Sequence, residues 1–251
     1  MKRIVDANAV TVSRVGDLDA ATLRAAHALM HAAFGDDEAF LARLTDAAAD
    51  ERYLYIRESG GIAAGCFVFG ATLYTSADAE TGAGAKALHG GYLYALCTAA
   101  AYRRRGFAHA LLGAAARAAG DFLFAVPASR SLCDFYRRLG FTHTLPGCVA
   151  VGGIGESPAP AGTRHGGYAD AVRAAERHGG LLLSEALFDL SLAESGAEPC
   201  TAGDAFVAVQ DGRLYGAVGL APKHPMPEKA LLRSKVPLDT EGIFADLLIE
   251  V

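Results

Sequence analysis

The sequence has few cysteines, and no two of them are closely paired. Five occur in 251 residues, and none form a C-x-x-C motif: Cys66, Cys97, Cys133, Cys148 and Cys200. An odd count at wide spacing is typical of reduced thiols in a cytosolic protein and not of a disulfide framework. The same spacing argues against a zinc site, so we expect no metal.

Positive charge is also scarce, because 23 Lys and Arg residues face 28 Asp and Glu residues, for a formal net charge of −5. A general nucleic-acid-binding protein needs a basic surface to contact phosphates, so that class is disfavoured. The longest mainly apolar stretch, residues 61–74, is too short to span a bilayer. Residues 1–10 lack the apolar run of a signal peptide. We therefore expect a cytoplasmic protein without membrane or nucleic-acid partners.

Apolar residues are plentiful, at 52% of the chain. This content suffices for a hydrophobic core, and the length fits one large domain or two smaller ones. The alanine bias is typical of a bacterial proteome of high GC content.

Hydrophobic periodicity and turn residues predict alternating strands and helices up to about residue 153. We predict strands at 10–15, 53–56, 62–74, 92–97 and 122–126, a mobile loop at 75–90, and a last antiparallel pair formed by 141–145 and 148–151. Predicted helices follow Asp17 and either Asp36 or Asp37 as N-caps, and further helices cover 106–119 and 129–139. This mixture predicts an α+β protein with a mixed sheet of the α/β type.

The C-terminal part begins after a segment rich in glycine, proline and serine, residues 152–166. Beyond it, helices are predicted at 168–177 and 181–193, a hairpin at 206–209 and 214–220, and a strand at 243–251. We therefore predict a larger domain at 1–153, a linker at 154–166 and a smaller α+β domain at 167–251. A weak echo between the segments that start at Tyr53 and Phe206 leaves open that the smaller domain is a degenerate half-copy of the larger one.

The most informative segment is YLYALCTAAAYRRRGFAHALL, residues 92–112, in which a buried strand leads through a short loop directly into a helix. The first N–H groups of a helix have no partner and lie at the positive end of its dipole. Gly106 and Ala108 keep side chains out of the way, and Arg103, Arg104 and Arg105 add positive charge. The pattern predicts a site for an anion such as pyrophosphate.

A second segment, SLCDFYRRLGF at residues 131–141, follows the next predicted strand. Together the two segments resemble the GCN5-related N-acetyltransferase (GNAT) family, and the resemblance covers residues 10–153. The first matches the acetyl-CoA loop Q/R-x-x-G-x-G/A of that family at Arg103, Gly106 and Ala108. The second matches its FY-x-x-x-GF ending, which here consists of Phe135, Tyr136, Gly140 and Phe141.

The resemblance implies the family fold and acetyl-CoA as the acyl donor, with contacts assigned by position. It implies that the end of the central strand pairs with pantetheine and that backbone N–H groups of 104–108 hold the pyrophosphate. It also implies that Tyr136 donates a proton or a hydrogen bond to the departing thiolate. The implied donor-binding residues are Leu96, Cys97, Thr98, Arg103, Arg104, Arg105, Gly106, Phe107, Ala108, Ser129 and Phe135. Ser129 departs from the family, which often has Asn there.

Tyr136 is the implied catalytic residue, and its chemistry favours a hydrogen bond to the thiolate. A phenol has a pKa of about 10 and an alkyl thiol about 8.5, so full proton transfer is uphill by roughly 2 kcal/mol. The attacking amine must lose a proton, which requires a base. Candidates are His89, Glu80, Asp78, His143 and Asp134, and by analogy the C-terminal carboxylate of Val251, which the enhanced-intracellular-survival subgroup uses.

Several of these residues also have a simpler structural interpretation. Tyr136 could be a core tyrosine, and Cys97 lacks the ordered His and Asp partners of a nucleophile. His27 and His31 have the i, i+4 spacing of a metal pair but no third ligand.

Three functions remain open from the sequence. The first is acetyl transfer to a small-molecule amine. Asp36, Asp37, Glu38 and the loop at His89 would then form the walls of a site for a cationic acceptor. The second is a non-catalytic sensor that binds coenzyme A or acetyl-CoA. The third is a protein or peptide N-acetyltransferase whose C-terminal part recognises the peptide. That part could also close the acceptor site or mediate a homodimer.

Overall fold

The structure is a computed structural model that describes residues 9–75, 86–147, 158–220 and 226–238. The first part of the chain alternates strands and helices. Its elements are β1 (Thr11–Arg14), α1 (Ala20–Phe34), α2 (Glu38–Ala47), β2 (Arg52–Glu58), β3 (Gly61–Thr75), β4 (Lys86–Thr98), α3 (Phe107–Ala118), β5 (Phe122–Ala125), α4 (Arg130–Arg137) and β6 (His143–Gly147).

The described residues of the C-terminal part form two further helices and six further strands. They are β7 (Arg164–His165), α5 (Tyr168–His178), β8 (Gly180–Leu183), α6 (Glu185–Ser195), β9 (Glu198–Ala202), β10 (Ala205–Gln210), β11 (Arg213–Val218) and β12 (Met226–Ser234). The predicted strand at 243–251 lies outside the described residues.

One large mixed sheet organises the molecule. Its strand order is β1-β2-β3-β4-β5-β12-β6, and β8 also pairs with β3. The β4–β5 pair is parallel, whereas the other pairings are antiparallel. A second sheet has the order β11-β10-β9-β7. The predicted mixed α+β fold class is confirmed.

Helices cover both faces of the large sheet. On one face, α1 and α2 pack on a layer of aromatic side chains from the central strands: Tyr53, Phe67, Phe69, Tyr92, Tyr94 and Phe124. On the other face, α3 and α4 pack on aliphatic residues such as Leu54, Val68 and Leu93. Strands buried on both faces have nearly continuous apolar sequences, which explains why β3 and β5 do not alternate.

The N-cap of α1 differs from the predicted one, and the N-cap of α2 is one of the two predicted residues. Asp19, and not Asp17, caps α1, because its carboxylate accepts the Thr22 N–H at 2.6 Å. Asp17 instead lies in a short 3-10 turn. Asp37 caps α2 by accepting the Phe40 N–H at 2.6 Å, so Asp36 is not the cap.

The C-terminal part supplies two strands to the large sheet, so strand pairing crosses the predicted boundary between the two domains. β12 lies between β5 and β6, and β8 pairs with residues 71–74 of β3. Residues 164–165, predicted as linker, form β7 in the second sheet, and residues 154–157 lie outside the described part. Long-range pairing of this kind leaves no signal in local sequence patterns.

Two local predictions are wrong, one for residues 181–183 and one for residues 86–90, and in both cases the residues form a strand that pairs with β3. Residues 181–183, predicted as the start of a helix, lie in β8, where all four residues are buried against β3. The predicted partner of β6, residues 148–151, lies outside the described residues, so that pairing stays a prediction; among the described residues β6 pairs with β12. The loop predicted at 75–90 is in part strand, because β4 begins at Lys86.

Gly90 of β4 packs closely against Phe122 of β5. A Cβ added there would lie 2.5 Å from the ring and the carbonyl oxygen of Phe122. Because a backbone atom cannot move aside cheaply, we expect Gly90→Ala to lower the free energy of unfolding by about 1–3 kcal/mol. Gly61→Ala is the matched control, since a Cβ there meets nothing within 4 Å. Urea denaturation compares the two variants, and equal stabilities would contradict the tight packing.

No helix in the described part of the chain is long and apolar enough to cross a bilayer.

Candidate active site

The central feature of the site is the separation of β4 from β5. The two strands pair in parallel at Gly91 with Leu123 and at Tyr92 with Phe124. The rings of Tyr92 and Phe124 stack there, with centroids 4.6 Å apart. Beyond this point β4 continues to Thr98, whereas β5 ends at Ala125. A cavity of about 250 Å³ opens between them, lined by residues 92–98 and 126–128.

A bulge in β4 lies beside this cavity. Gly65 of β3 is opposite Cys97, but Phe67 is opposite Tyr94, so β4 has one extra residue. Ala95 has a φ of +52°, a left-handed conformation that is uncommon for a residue with a side chain. A bulge takes backbone groups out of the regular ladder. Its N–H groups are therefore suitable donors for a ligand or a developing oxyanion.

The anion site is predicted at the loop before α3. Arg104 has a φ of +63° and Gly106 a φ of +92°, which turns the chain sharply into the helix. The first helical hydrogen bond runs from the Ala110 N–H to the Gly106 carbonyl, so the N–H groups of 107–109 precede the ladder. Gly106 is the N-cap and offers no side chain to cover them. These groups can bind an anion at the positive end of the helix.

The three arginines of this loop have different contacts. Arg103 donates from Nε to the Thr98 carbonyl at 3.2 Å, which ties the loop to the end of β4. The Arg105 guanidinium lies 5.1 Å from the ring centroid of Tyr102. All three side chains are exposed. Their positive charge can therefore attract an anion, while the N–H groups of 107–109 stay available to bind it.

A second cavity of about 470 Å³ joins the loop to the end of β4. Nine of the predicted donor-binding residues line it: Leu96, Cys97, Thr98, Arg103, Arg104, Gly106, Phe107, Ala108 and Phe135. Six residues line both cavities, so the two form one continuous groove: Phe34, Leu96, Cys97, Thr98, Ala108 and Phe135. Arg105 lines neither cavity, and its role stays a prediction.

Two predicted residues lie on α4. Tyr136 lines the smaller cavity and packs against Phe135 and Phe141, with ring centroids 5.3 and 5.2 Å away. Burial raises the pKa of the Tyr136 hydroxyl, and the Cys66 thiol adds to this, so the hydroxyl stays protonated. Ser129 lines neither cavity; it caps α4 and accepts the Leu132 N–H at 3.4 Å.

Cys97 does not have the properties of a nucleophile. Burial raises the pKa of its thiol to about 12, and Asp36 adds to this effect. Since the thiolate is the reactive form, the thiol is unsuited to covalent catalysis near neutral pH.

None of the described candidates for the base lines the groove. His89 lies on β4 with Nδ1 3.3 Å from the Thr72 hydroxyl. His143 begins β6, and Asp134 faces Arg137 at 3.6 Å. Asp78, Glu80 and Val251 lie outside the described residues.

The two histidines of α1 have protein partners. His27 is buried, with Nδ1 3.0 Å from the Glu38 carboxylate. His31 lies 2.7 Å from the Asp36 carbonyl through its Nδ1. Among the described residues, no group of three or more His, Cys, Asp or Glu side chains could hold a metal ion.

Sequence reasoning missed several residues of the groove wall. Ala33 and Phe34, at the end of α1, line it together with Tyr102, and Leu132 of α4 lines the smaller cavity. Phe34 and Leu132 are each 41% exposed, which is unusual for large apolar side chains. Phe34 follows the buried Met30 by four residues and so continues the buried face of α1, which means that helical periodicity gives no signal that its ring is exposed.

The comparisons with known proteins agree with this geometry. Residues 70–153 match the family described as "Acetyltransferase (GNAT) domain". No curated protein matches the chain significantly. The matched segment contains the bulge, the loop, α3 and α4.

Solved structures share the fold over a longer part of the chain. A GCN5-related N-acetyltransferase from Kribbella flavida is 15% identical with a TM-score of 0.59, covering 90% of this chain and 72% of that protein. Eis1 from Mycobacterium abscessus is 13% identical with a TM-score of 0.56, covering 89% and 73%. Identities this low show the fold alone.

The groove, the family match and the shared fold together define the class. The protein is an acyltransferase. The match of residues 70–153 to the GNAT acetyltransferase domain agrees with the resemblance of the two sequence motifs.

Proposed function

We propose that the protein is an acetyl-CoA-dependent N-acetyltransferase that acts on a small-molecule amine. One observation carries the proposal, namely a continuous groove. It begins at the N-terminus of α3, which has no side-chain cap, passes the end of β4, and ends in the cavity between β4 and β5. An elongated donor with a phosphate-rich end and an acyl end fits such a groove. The bulge at Ala95 and the hydroxyl of Tyr136 then lie at the acyl end.

The groove suggests how the chain would hold the donor. The N–H groups of residues 104–108 would bind the pyrophosphate, and the backbone of Leu96, Cys97 and Thr98 would pair with the pantetheine arm. The apolar rings of Phe34 and Phe135 would cover the arm, since both line the two cavities. Burial of the thioester would exclude water and strengthen nearby hydrogen bonds.

The residues at the bulge are suited to direct transfer. Attack of an amine on the thioester creates a tetrahedral oxyanion, which an N–H near Cys97 or Thr98 would stabilise. Tyr136 is protonated and can donate a hydrogen bond to the sulfur as negative charge develops on it. Positioning of both substrates would supply much of the rate enhancement.

Titration calorimetry with acetyl-CoA, followed by a thiol-release assay with a panel of primary amines and of lysine-containing peptides, tests this function. We expect saturable binding and amine-dependent release of free thiol. Release with peptides alone would indicate a protein or peptide acetyltransferase. Binding without release under any condition would indicate a sensor, and a folded protein that fails to bind would refute the proposal.

Tyr136→Phe separates catalysis from donor binding. A hydrogen bond to a charged group contributes about 1.5–3 kcal/mol, so we expect kcat to fall about 10–100-fold while the affinity for acetyl-CoA stays the same. The ring keeps its contacts with Phe135 and Phe141, which preserves the fold. Thiol-release kinetics and calorimetry measure the two quantities. An unchanged kcat would show that Tyr136 is only a core residue.

A further inference from the structure

A further cavity, of about 250 Å³, lies between the C-terminal half of α3 and the end of β12. It shares no lining residue with the groove described above. Three of its lining residues are cationic and none is acidic; the lining consists of Gly113, Ala116, Arg117, Leu123, Arg233 and Lys235. The whole chain has a formal net charge of −5, so this concentration of positive charge is local.

Small residues of α3 create the space. Gly113, Ala116 and Arg117 are spaced i, i+3 and i+4, so they share one side of the helix. Gly113 has no side chain, and the Arg117 guanidinium lies over it, since a Cβ added to Gly113 would be 3.7 Å from Arg117 Nη1. Leu123 of β5, which is 1% exposed, provides an apolar wall. The cavity therefore depends on how α3 packs on the sheet.

The alternation of β12 directs its two cations to the same place. Leu231 packs in the core with residues of α3, and side chains two residues apart on a strand share a face. Arg233 is directly opposite Leu123 in the β12–β5 pair. The Lys235 N–H donates to the Asp121 carbonyl at 2.8 Å, so backbone pairing continues just past the strand. Both cations thus lie on the α3 side of the sheet.

The three cationic side chains have few partners. Arg233 donates from Nη1 to the Leu139 carbonyl at 3.3 Å, and Lys235 donates from Nζ to the Ala119 carbonyl at 3.5 Å. Within the part of the chain that the structure describes, the Arg117 side chain has no hydrogen-bond or ion-pair partner. A guanidinium has five N–H donors and an ammonium group three, so most donors around the cavity are unused by the protein.

Negative charge of the protein does not balance these cations. Among the described residues, no carboxylate oxygen lies within 4 Å of their charged nitrogens. The carboxylate of Asp121, near the end of β12, accepts the His89 N–H at 3.2 Å. The C-terminal end of α3 carries a partial charge of only about −0.5. Like charges around one cavity repel each other, and a bound anion would offset that repulsion.

We propose that this cavity binds a compact phosphate-containing anion, held by Arg117, Arg233 and Lys235. A planar guanidinium can donate to two phosphate oxygens at once, and the ammonium group adds a point charge. A phosphate dianion balances more of the threefold positive charge than a single carboxylate does. The volume suits an ion of the size of pyrophosphate. The proposal does not depend on acyl transfer, because the cavity is separate from the groove.

Calorimetry with pyrophosphate in the Gly106→Glu variant tests the proposal, since a glutamate there would repel phosphate from the groove. We expect one saturable site in this background. Adding Arg117→Gln or Arg233→Gln should weaken binding about 10–100-fold, the usual contribution of a hydrogen bond to a charged group. Arg24→Gln on α1 is the matched control, because this exposed arginine lines none of the three cavities. It should leave the affinity unchanged.

Chemical modification of arginines by phenylglyoxal, read by mass spectrometry, gives a second readout. Pyrophosphate should protect Arg117 and Arg233 and leave Arg24 reactive. Wild-type protein saturated with coenzyme A provides the same test without the substitution at Gly106. Absence of saturable pyrophosphate binding in both backgrounds would overturn the proposal, as would an equal loss in Arg24→Gln. Citrate that binds as tightly as pyrophosphate would overturn the assignment to phosphate.

Discussion

Replacing Gly106 with Glu is expected to abolish measurable binding of acetyl-CoA. A Cβ at this position meets no atom within 4 Å, so the side chain would extend into the groove that Gly106 lines. Its carboxylate would occupy the place of the pyrophosphate and repel it. Loss of two charge-assisted hydrogen bonds of about 1.5–3 kcal/mol each lowers affinity at least about 100-fold. Calorimetry with wild type and variant measures this directly.

Two controls separate charge from backbone strain. Gly106 has a φ of +92°, so any side chain there is strained, typically by about 1–3 kcal/mol. Gly106→Ala carries the strain without the carboxylate and should retain most of the affinity. Gly60→Glu carries the same change in the β2–β3 turn, at a φ of +83° with open space, and should bind normally. Equal affinity in Gly106→Glu and wild type would place the phosphates elsewhere.

Truncation after residue 153 is expected to prevent folding of the remaining chain. It removes β12, whose residues Ala230, Leu231 and Leu232 are fully buried between β5 and β6. It also removes β8 from the edge of β3. β5 consists of four buried apolar residues and would become an open edge, which favours aggregation. We expect an insoluble fragment, or one without a cooperative thermal transition by circular dichroism.

Supplying residues 154–251 as a separate chain is the control for this truncation. If β12 is the missing element, co-expression should restore a soluble complex that binds acetyl-CoA. A fragment of 1–153 that unfolds cooperatively alone would show instead that the predicted boundary marks an independent domain.

Local signals in the sequence predicted the elements that flank the proposed donor site. The strand, loop and helix around Gly106 and the cap at Ser129 depend on neighbouring residues, so their positions were readable. Segments 181–183 and 226–234 are different, because what makes them strands is a partner more than 80 residues away in the sequence. Short apolar runs do not distinguish strand from helix without that partner.

The two ends of the proposed active site also differ in how far the sequence predicts them. The predicted donor loop has a compact motif, and nine of the eleven predicted donor-binding residues line one cavity. The residues at the other end of the groove come from α1, β4 and α4, and no spacing in the sequence relates Phe34, Tyr94 and Tyr136. The bulge itself depends on the register between β3 and β4, which the sequence of β4 alone does not specify.

The position of β12 has a consequence for how the protein is made. About 100 residues separate the end of β5 from the start of β12, which at roughly 5–20 residues per second takes about 5–20 s to synthesise. During that interval the nascent chain carries β5, and for most of it also β6, without the strand that joins them. Such long-range pairing also slows folding after release. The growing polypeptide therefore exposes apolar strand edges on the ribosome, where chaperones that bind extended apolar segments would act first.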